Sequence, residues 1–123
     1  MTNPGKLFVG TSGYAYKEWK GSFYPEKFPD KEMLSFYAKH FPTVEINYSF
    51  YRMPKESVLQ IWAAEVPPGF RFAMKANQRI THIQRLRNCE ESLKRFLEVA
   101  SVLIEGDHLG PILVQLPPNF KFD

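Results

Sequence analysis

The sequence predicts an α/β fold in which parallel strands alternate with helices, built as half of a (β/α) barrel. Three observations lead there. Short apolar or alternating segments take turns with longer segments of helical periodicity. The second face of each strand turns polar toward its C-terminal end. The glycine-containing turn after the first strand does not run directly into a helix, as a dinucleotide-binding sheet requires.

The elements follow in order. Lys6 to Gly10 is short, apolar and ends on glycine, a strand pattern. Thr11 to Phe28, interrupted by Gly13, Gly21 and Pro25, reads as a long aromatic loop. Asp30 can cap a helix carrying Met33, Leu34, Tyr37, Ala38 and Phe41 at helical spacing, closed by Pro42. Thr43 to Asn47 alternates with period two and is β-branched, so it is a second strand. A loop reaches Pro54, and Val58, Ile61, Trp62 and Val66 mark a second helix, ended by Pro67-Pro68-Gly69. Arg71 to Lys75 alternates again as a third strand. Asn88 can cap the next helix with Glu91 as reciprocal partner, and Cys89, Leu93, Phe96, Leu97, Ala100, Leu103 and Ile104 form its apolar stripe. Gly106 suits its exit, and Pro111 to Leu116 is a fourth strand before Pro117-Pro118.

Strand parity separates a barrel from an open sheet. Val44 and Ile46 share one face, as do Phe72 and Met74, and as do Ile112, Val114 and Leu116. These faces should meet helices. The opposite faces place Glu45, Asn47, Lys75 and Gln115 toward the C-terminal ends. An open sheet covered on both sides is apolar on both faces. A barrel instead tolerates polar groups gathered at its C-terminal mouth.

Composition narrows the function class. The 123 residues are 44% hydrophobic and 24% charged, ordinary for a globular domain, and the 15% aromatic share argues against disorder. Net charge is +3 with a pI near 9.0 and no basic run, which permits an anionic ligand without requiring one and argues against extended duplex binding. The single cysteine, Cys89, excludes an internal disulfide and a multi-thiolate metal site, and its stripe position reads as a buried thiol. Met1 to Lys6 is polar and unlike a signal peptide, and no apolar run reaches the ~20 residues of a membrane helix, so a soluble cytoplasmic chain is expected. No motif implies a cofactor. No metal site is expected either, because Glu45 and His82 alone on the site face are too few ligands.

The sharpest pair is Glu45 and Lys75, a carboxylate and an amine at neighbouring strand ends. They can act as base and acid, or as base and Schiff-base nucleophile, or simply form a structural ion pair. Asn47 and Gln115 can orient a substrate hydroxyl or satisfy the same polar network. Arg52, Lys75 and His82 can hold a phosphate or carboxylate, while Thr81-His82 can equally brace a loop. Tyr14, Tyr16, Trp19, Phe50 and Tyr51 can form a stacking wall or a loop core. His40, at a helix end, and His108, in a turn, read as structural or solvated. Glu45 and Lys75 are thus the catalytic candidates; Ser12, Tyr16, Trp19, Asn47, Tyr51, Arg52, His82 and Gln115 are the substrate-binding candidates.

Four stretches carry a family resemblance: Gly10-Thr-Ser-Gly-Tyr-Ala-Tyr-Lys-Glu-Trp19; Val44-Glu-Ile-Asn-Tyr-Ser-Phe-Tyr-Arg52; Phe72-Ala-Met-Lys75 with Ile80-Thr-His82; and Leu109-Gly-Pro-Ile-Leu-Val-Gln-Leu-Pro-Pro118. In this order they resemble the successive signatures of the YecE-like family, also called domain of unknown function 72. The resemblance implies a TIM-barrel fold and supplies no activity. Family members are longer, so residues 1–123 are expected to be a single domain, the N-terminal half of such a barrel: a partial TIM (β/α) barrel with βαβαβαβ order.

The expected function is an enzyme-type barrel acting on a small polar or anionic substrate. One alternative is a non-catalytic module for a nucleotide or single-stranded nucleic acid, read from the basic pI and clustered rings. Another is an inactive fragment, or a half barrel that self-assembles by joining its open edges into a homo-oligomer.

Overall fold

The computed structural model describes residues 5–121. Met1 to Pro4, within the polar start, and Phe122 and Asp123 lie outside them. Four strands, β1 (Gly10–Ser12), β2 (Thr43–Ile46), β3 (Arg71–Lys75) and β4 (Leu109–Leu113), form one parallel sheet in the order β1-β2-β3-β4. Helices α1 (Met33–Ala38), α2 (Tyr48–Tyr51), α3 (Glu56–Glu65) and α4 (Glu90–Glu105) lie between them. Strand order equals chain order, and crossovers share one hand, so successive connections fall on the same side of the sheet. A doubly wound sheet reverses direction and covers both faces. Here Val44, Ile46, Phe72 and Met74 are buried with Leu34, Tyr37, Leu59, Phe96, Ala100 and Leu103 in one core. On the opposite face Glu45, Ala73 and Lys75 stay partly exposed. The fold is therefore α/β and partial TIM-like, and the parity read for the second and third strands holds.

Several boundaries move. The first strand begins at Gly10 rather than Lys6, because the ladder starts at Gly10 opposite Thr43. Upstream of Thr43 stands Pro42, so Leu7 and Val9 have no β2 residue to face and remain 84% and 56% exposed. Gly10 is required there: a Cβ would lie 2.0 Å from the Thr43 carbonyl oxygen. The fourth strand begins earlier, at Leu109, and ends at Leu113 because β3 ends opposite it at Lys75. A register shift between Phe72 and Met74 accommodates Pro111, which has no N–H to give the ladder.

The caps are also corrected. Asp30 forms no side-chain cap; it pairs with Lys20 at 2.8 Å, and a 3₁₀ turn (Asp30–Glu32) leads into α1. Asn88 adopts a left-handed φ of 48°, so Cys89 takes the N-cap of α4 with no side-chain cap bond. Cys89 is accordingly only partly buried. The left-handed residue at the α4 exit is Asp107 (φ 58°), not Gly106. His108 N–H bonds Leu103 O at 2.7 Å and Asp107 N–H bonds Ile104 O at 2.9 Å, the Schellman pattern. Gly106 is needed instead for space, since a Cβ would lie 2.9 Å from the His108 ring. The α4 stripe splits: Phe96, Val99, Ala100 and Leu103 are buried, whereas Leu93, Leu97 and Ile104 face outward. Two elements were not foreseen, the short α2 and a π-helical turn at Arg79–Ile83, where Gln84 N–H bonds Arg79 O at 2.8 Å.

Tyr37 joins α1 to the sheet. Its buried phenol accepts from Thr11 N at 2.8 Å and donates to Thr43 O at 2.9 Å. Among the described residues, no helix is long and apolar enough to cross a membrane.

Candidate functional site

Two polar groups form on the open face at the C-terminal ends of the strands. The first centres on Ser12. Its hydroxyl donates to Glu45 Oε1 at 3.5 Å and accepts from Asn47 Nδ2. Tyr16 Oη donates to Ser12 O at 2.5 Å. This fold-back depends on Gly13, whose φ is +79° and whose Cβ, if present, would lie 2.6 Å from Tyr16 Oη. Register explains the grouping, since Ser12 pairs with Glu45 across β1 and β2. The Glu45 carboxylate is thus held from one side and open on the other.

The second group centres on Phe50. Lys75 Nζ lies 4.3 Å from the Phe50 ring centroid, a cation–π distance. The His82 ring meets the same ring at 87°, with centroids 4.9 Å apart. Thr81 Oγ1 and His82 Nδ1 are 2.7 Å apart, the loop-bracing contact weighed above. Buried Ser49 sets this arrangement: its hydroxyl donates to Lys75 O at 2.6 Å, and Asn77 Nδ2 donates to its carbonyl at 3.0 Å. Asn77 Oδ1 also accepts from Arg79 N–H at 2.9 Å. Sequence reasoning missed Ser49 and Asn77 as positioning residues. A polar residue just past a strand end was the available signal, and it is common to most loops.

Glu45 and Lys75 lie on adjacent strands, but Glu45 pairs with Ala73 and Lys75 with Leu113. They make no ion pair, since the ion pairs among the described residues are Lys20–Asp30 and Arg71–Asp107. The structural-pair alternative therefore does not describe them. The other candidates disperse. Trp19 packs on Tyr16, Phe23 and Tyr24, with centroids 4.7, 5.8 and 6.0 Å away, as part of a loop core. Tyr51 is 70% exposed and, with Arg52, lines a cavity that includes neither Lys75 nor His82. Gln115 is exposed beyond the end of β4. His40 stacks on Phe36, and His108 is buried with Nδ1 2.7 Å from Phe70 O; both are structural. Burial pushes the Tyr14 and Tyr24 phenols up to about 12, with smaller contributions from Glu65 and from neighbouring tyrosines respectively, and Tyr24 Oη donates to Tyr14 O at 2.5 Å.

The family model described as "Protein of unknown function DUF72" matches residues 8–123. The chain belongs to the DUF72 family. UPF0759 protein YunF of Bacillus subtilis is 30% identical over 118 residues, covering 93% of this chain and 41% of YunF. UPF0759 protein YecE of Escherichia coli K12 is 36% identical over 87 residues, covering 71% of this chain and 31% of YecE. The crystal structure of a DUF72 family protein (TM1631) from Thermotoga maritima superposes with a TM-score of 0.81 at 32% identity, covering 94% of this chain and 46% of that one. This DUF72 chain thus spans less than half the length of these relatives.

Proposed function

We propose that this chain contributes half of an enzyme-type barrel mouth that binds a small polar or anionic ligand. In this reading residues 1–123 form a single domain, the N-terminal half of a TIM barrel. Glu45 and Lys75 act as the acid–base pair, Ser12, Asn47 and Tyr16 orient ligand hydroxyls, and His82 contributes a polar edge. The observation that carries the reading is the placement of a carboxylate and an ammonium, unpaired with each other, on the open face of adjacent strands, near their C-terminal ends. The test is a thermal-shift screen of small polar and anionic compounds against the full-length protein. At least one compound that stabilises the parent should fail to stabilise Glu45→Gln and Lys75→Met. If every stabilising compound acts equally on parent and variants, the assignment is overturned.

A second reading, binding of a nucleotide or single-stranded nucleic acid, draws on Tyr51, 70% exposed beside Arg52, and on the basic pI. Absence of oligonucleotide binding at low salt would eliminate it. A further proposal concerns assembly. Leu7 and Val9 lie before β1, Leu113 ends β4, and Val114 and Leu116 follow it, all exposed and apolar. Such edges favour closure of the sheet by a second copy. Sedimentation of the 123-residue chain as a monomer at high concentration would refute it.

A further inference from the structure

We propose that a second cavity, apart from the Glu45–Lys75 face, binds a small hydroxyl-bearing phosphate monoester. It is about 660 Å³ and lies between the segment after α2, the π-helical turn and the start of α4. That volume suits a small metabolite. Arg52, Arg79 and Arg95 line it, each delivered by a different segment. Elsewhere Arg71 is bound to Asp107, and Arg85 to Asn119 and the Phe120 ring. By contrast, the guanidiniums of Arg52, Arg79 and Arg95 have no hydrogen-bond or ion-pair partner among the described residues, and Arg79 bonds only through its backbone, N–H to Asn77 and O to Gln84. Guanidiniums that line one cavity without protein partners are suited to a phosphate, which can accept from several at once.

The remaining lining supplies acceptors. Glu90 and Glu91 face the same cavity, so its charge is mixed, with arginine in excess. Gln84 also lines it; its Nε2 donates to Asn88 O at 3.4 Å, while its buried Oε1 has no partner among the described residues. That oxygen is sealed from solvent, so the exposed Glu90 and Glu91 carboxylates are the acceptors open to a ligand. Guanidiniums on one part of a ligand and carboxylates on another match a phosphate bearing hydroxyls, rather than a bare anion. The backbone here is unusual as well. The π-helical turn is followed by left-handed Arg85, Leu86 and Asn88, so strain gathers beside the cavity. None of Ser12, Glu45, Lys75 or His82 lines it, so the inference does not rest on the function proposed above.

The test is an NMR titration of the full-length protein with glycerol 1-phosphate, inorganic phosphate and glycerol, at ionic strength held constant with sodium chloride. Saturable amide shifts at residues 52–53, 79–80 and 90–95 are expected with glycerol 1-phosphate, weaker binding with inorganic phosphate, and none with glycerol. Arg79→Gln/Arg95→Gln, both at exposed positions, should weaken binding about tenfold or more. Glu90→Ala/Glu91→Ala should erase the preference over inorganic phosphate. Lys75→Met should leave binding intact. Shifts that do not saturate, equal affinity for the ester and inorganic phosphate, unchanged binding by the double variant, or loss of binding in Lys75→Met would each overturn the proposal.

Discussion

The Lys75 ammonium sits 4.3 Å from the centroid of the Phe50 ring, and that ring is held against β3 by Ser49, the residue before it. An amine at a barrel-type strand end is thus placed by an aromatic face rather than by a carboxylate. Phe50 is only partly buried, so the contact is worth about 0.5–1 kcal/mol. A double-mutant cycle of Phe50→Leu and Lys75→Met, read by urea denaturation, should return a coupling of that size. Strict additivity would remove the cation–π account.

Ser49 should matter beyond its size. Ser49→Ala deletes the bond from a buried hydroxyl and leaves the part-buried Lys75 carbonyl with one partner fewer, a loss of about 1–3 kcal/mol. The Lys75 and His82 side-chain resonances should shift with it. A variant as stable as the parent, with unshifted resonances, would deny Ser49 its positioning role.

Tyr37→Phe removes the hydroxyl shared by Thr11 N and Thr43 O inside the core. Loss of about 1–3 kcal/mol is expected, together with faster amide exchange at Thr11. Unchanged exchange at Thr11 would show that β1 does not depend on this bridge.

Gly10→Ala puts a Cβ 2.0 Å from the Thr43 carbonyl oxygen, an overlap that β1 can relieve only by withdrawing from β2. The amide of Gly13, which donates to Glu45 O at 2.8 Å, should lose its exchange protection, and the Ser12–Glu45 contact should be lost with it. Retained protection at Gly13 would contradict this reading of the close approach.

Arg71 and Asp107 give a pH dependence. The hydrogen bond from Arg71, then its charge, holds the Asp107 carboxyl below its ordinary value, while Asp107 raises Arg71. A depressed carboxyl pKa contributes stability that is complete above the unfolded value of about 3.9 and is lost as pH falls through the lower folded value. Asp107→Asn, which tolerates the same left-handed backbone, should therefore reduce neutral stability slightly and flatten the acid limb below about pH 4. An unaltered acid limb in urea denaturation would contradict the pairing.

The sequence by itself determined the α/β class, the bounds of β3 at Arg71–Lys75, nearly those of β2 at Thr43–Ile46, and which of their side chains face helices. It could do so because both strands are buried on one face, and a period-two pattern records that burial directly. What it could not decide was set by neighbours distant in the chain. β1 and β4 slid because a strand exists only where its partner offers a ladder, and Gly10 and Leu109 are the positions that Thr43 and Phe72 make available. Asp30 and Asn88 look like caps locally, but Lys20 claims the first and a left-handed turn the second. The candidate site divides in the same way. Ser12 and Glu45 meet because parallel register brings them level, and Asn47, just past the end of β2, reaches the same hydroxyl, a relation parity had half revealed. Arg52 parted from Lys75 and joined Arg79 and Arg95 because a four-residue helix, Tyr48–Tyr51, turns the chain between Phe50 and Arg52. Helix periodicity is hard to see over a single turn, and packing against β3, rather than propensity, fixes where that turn lies.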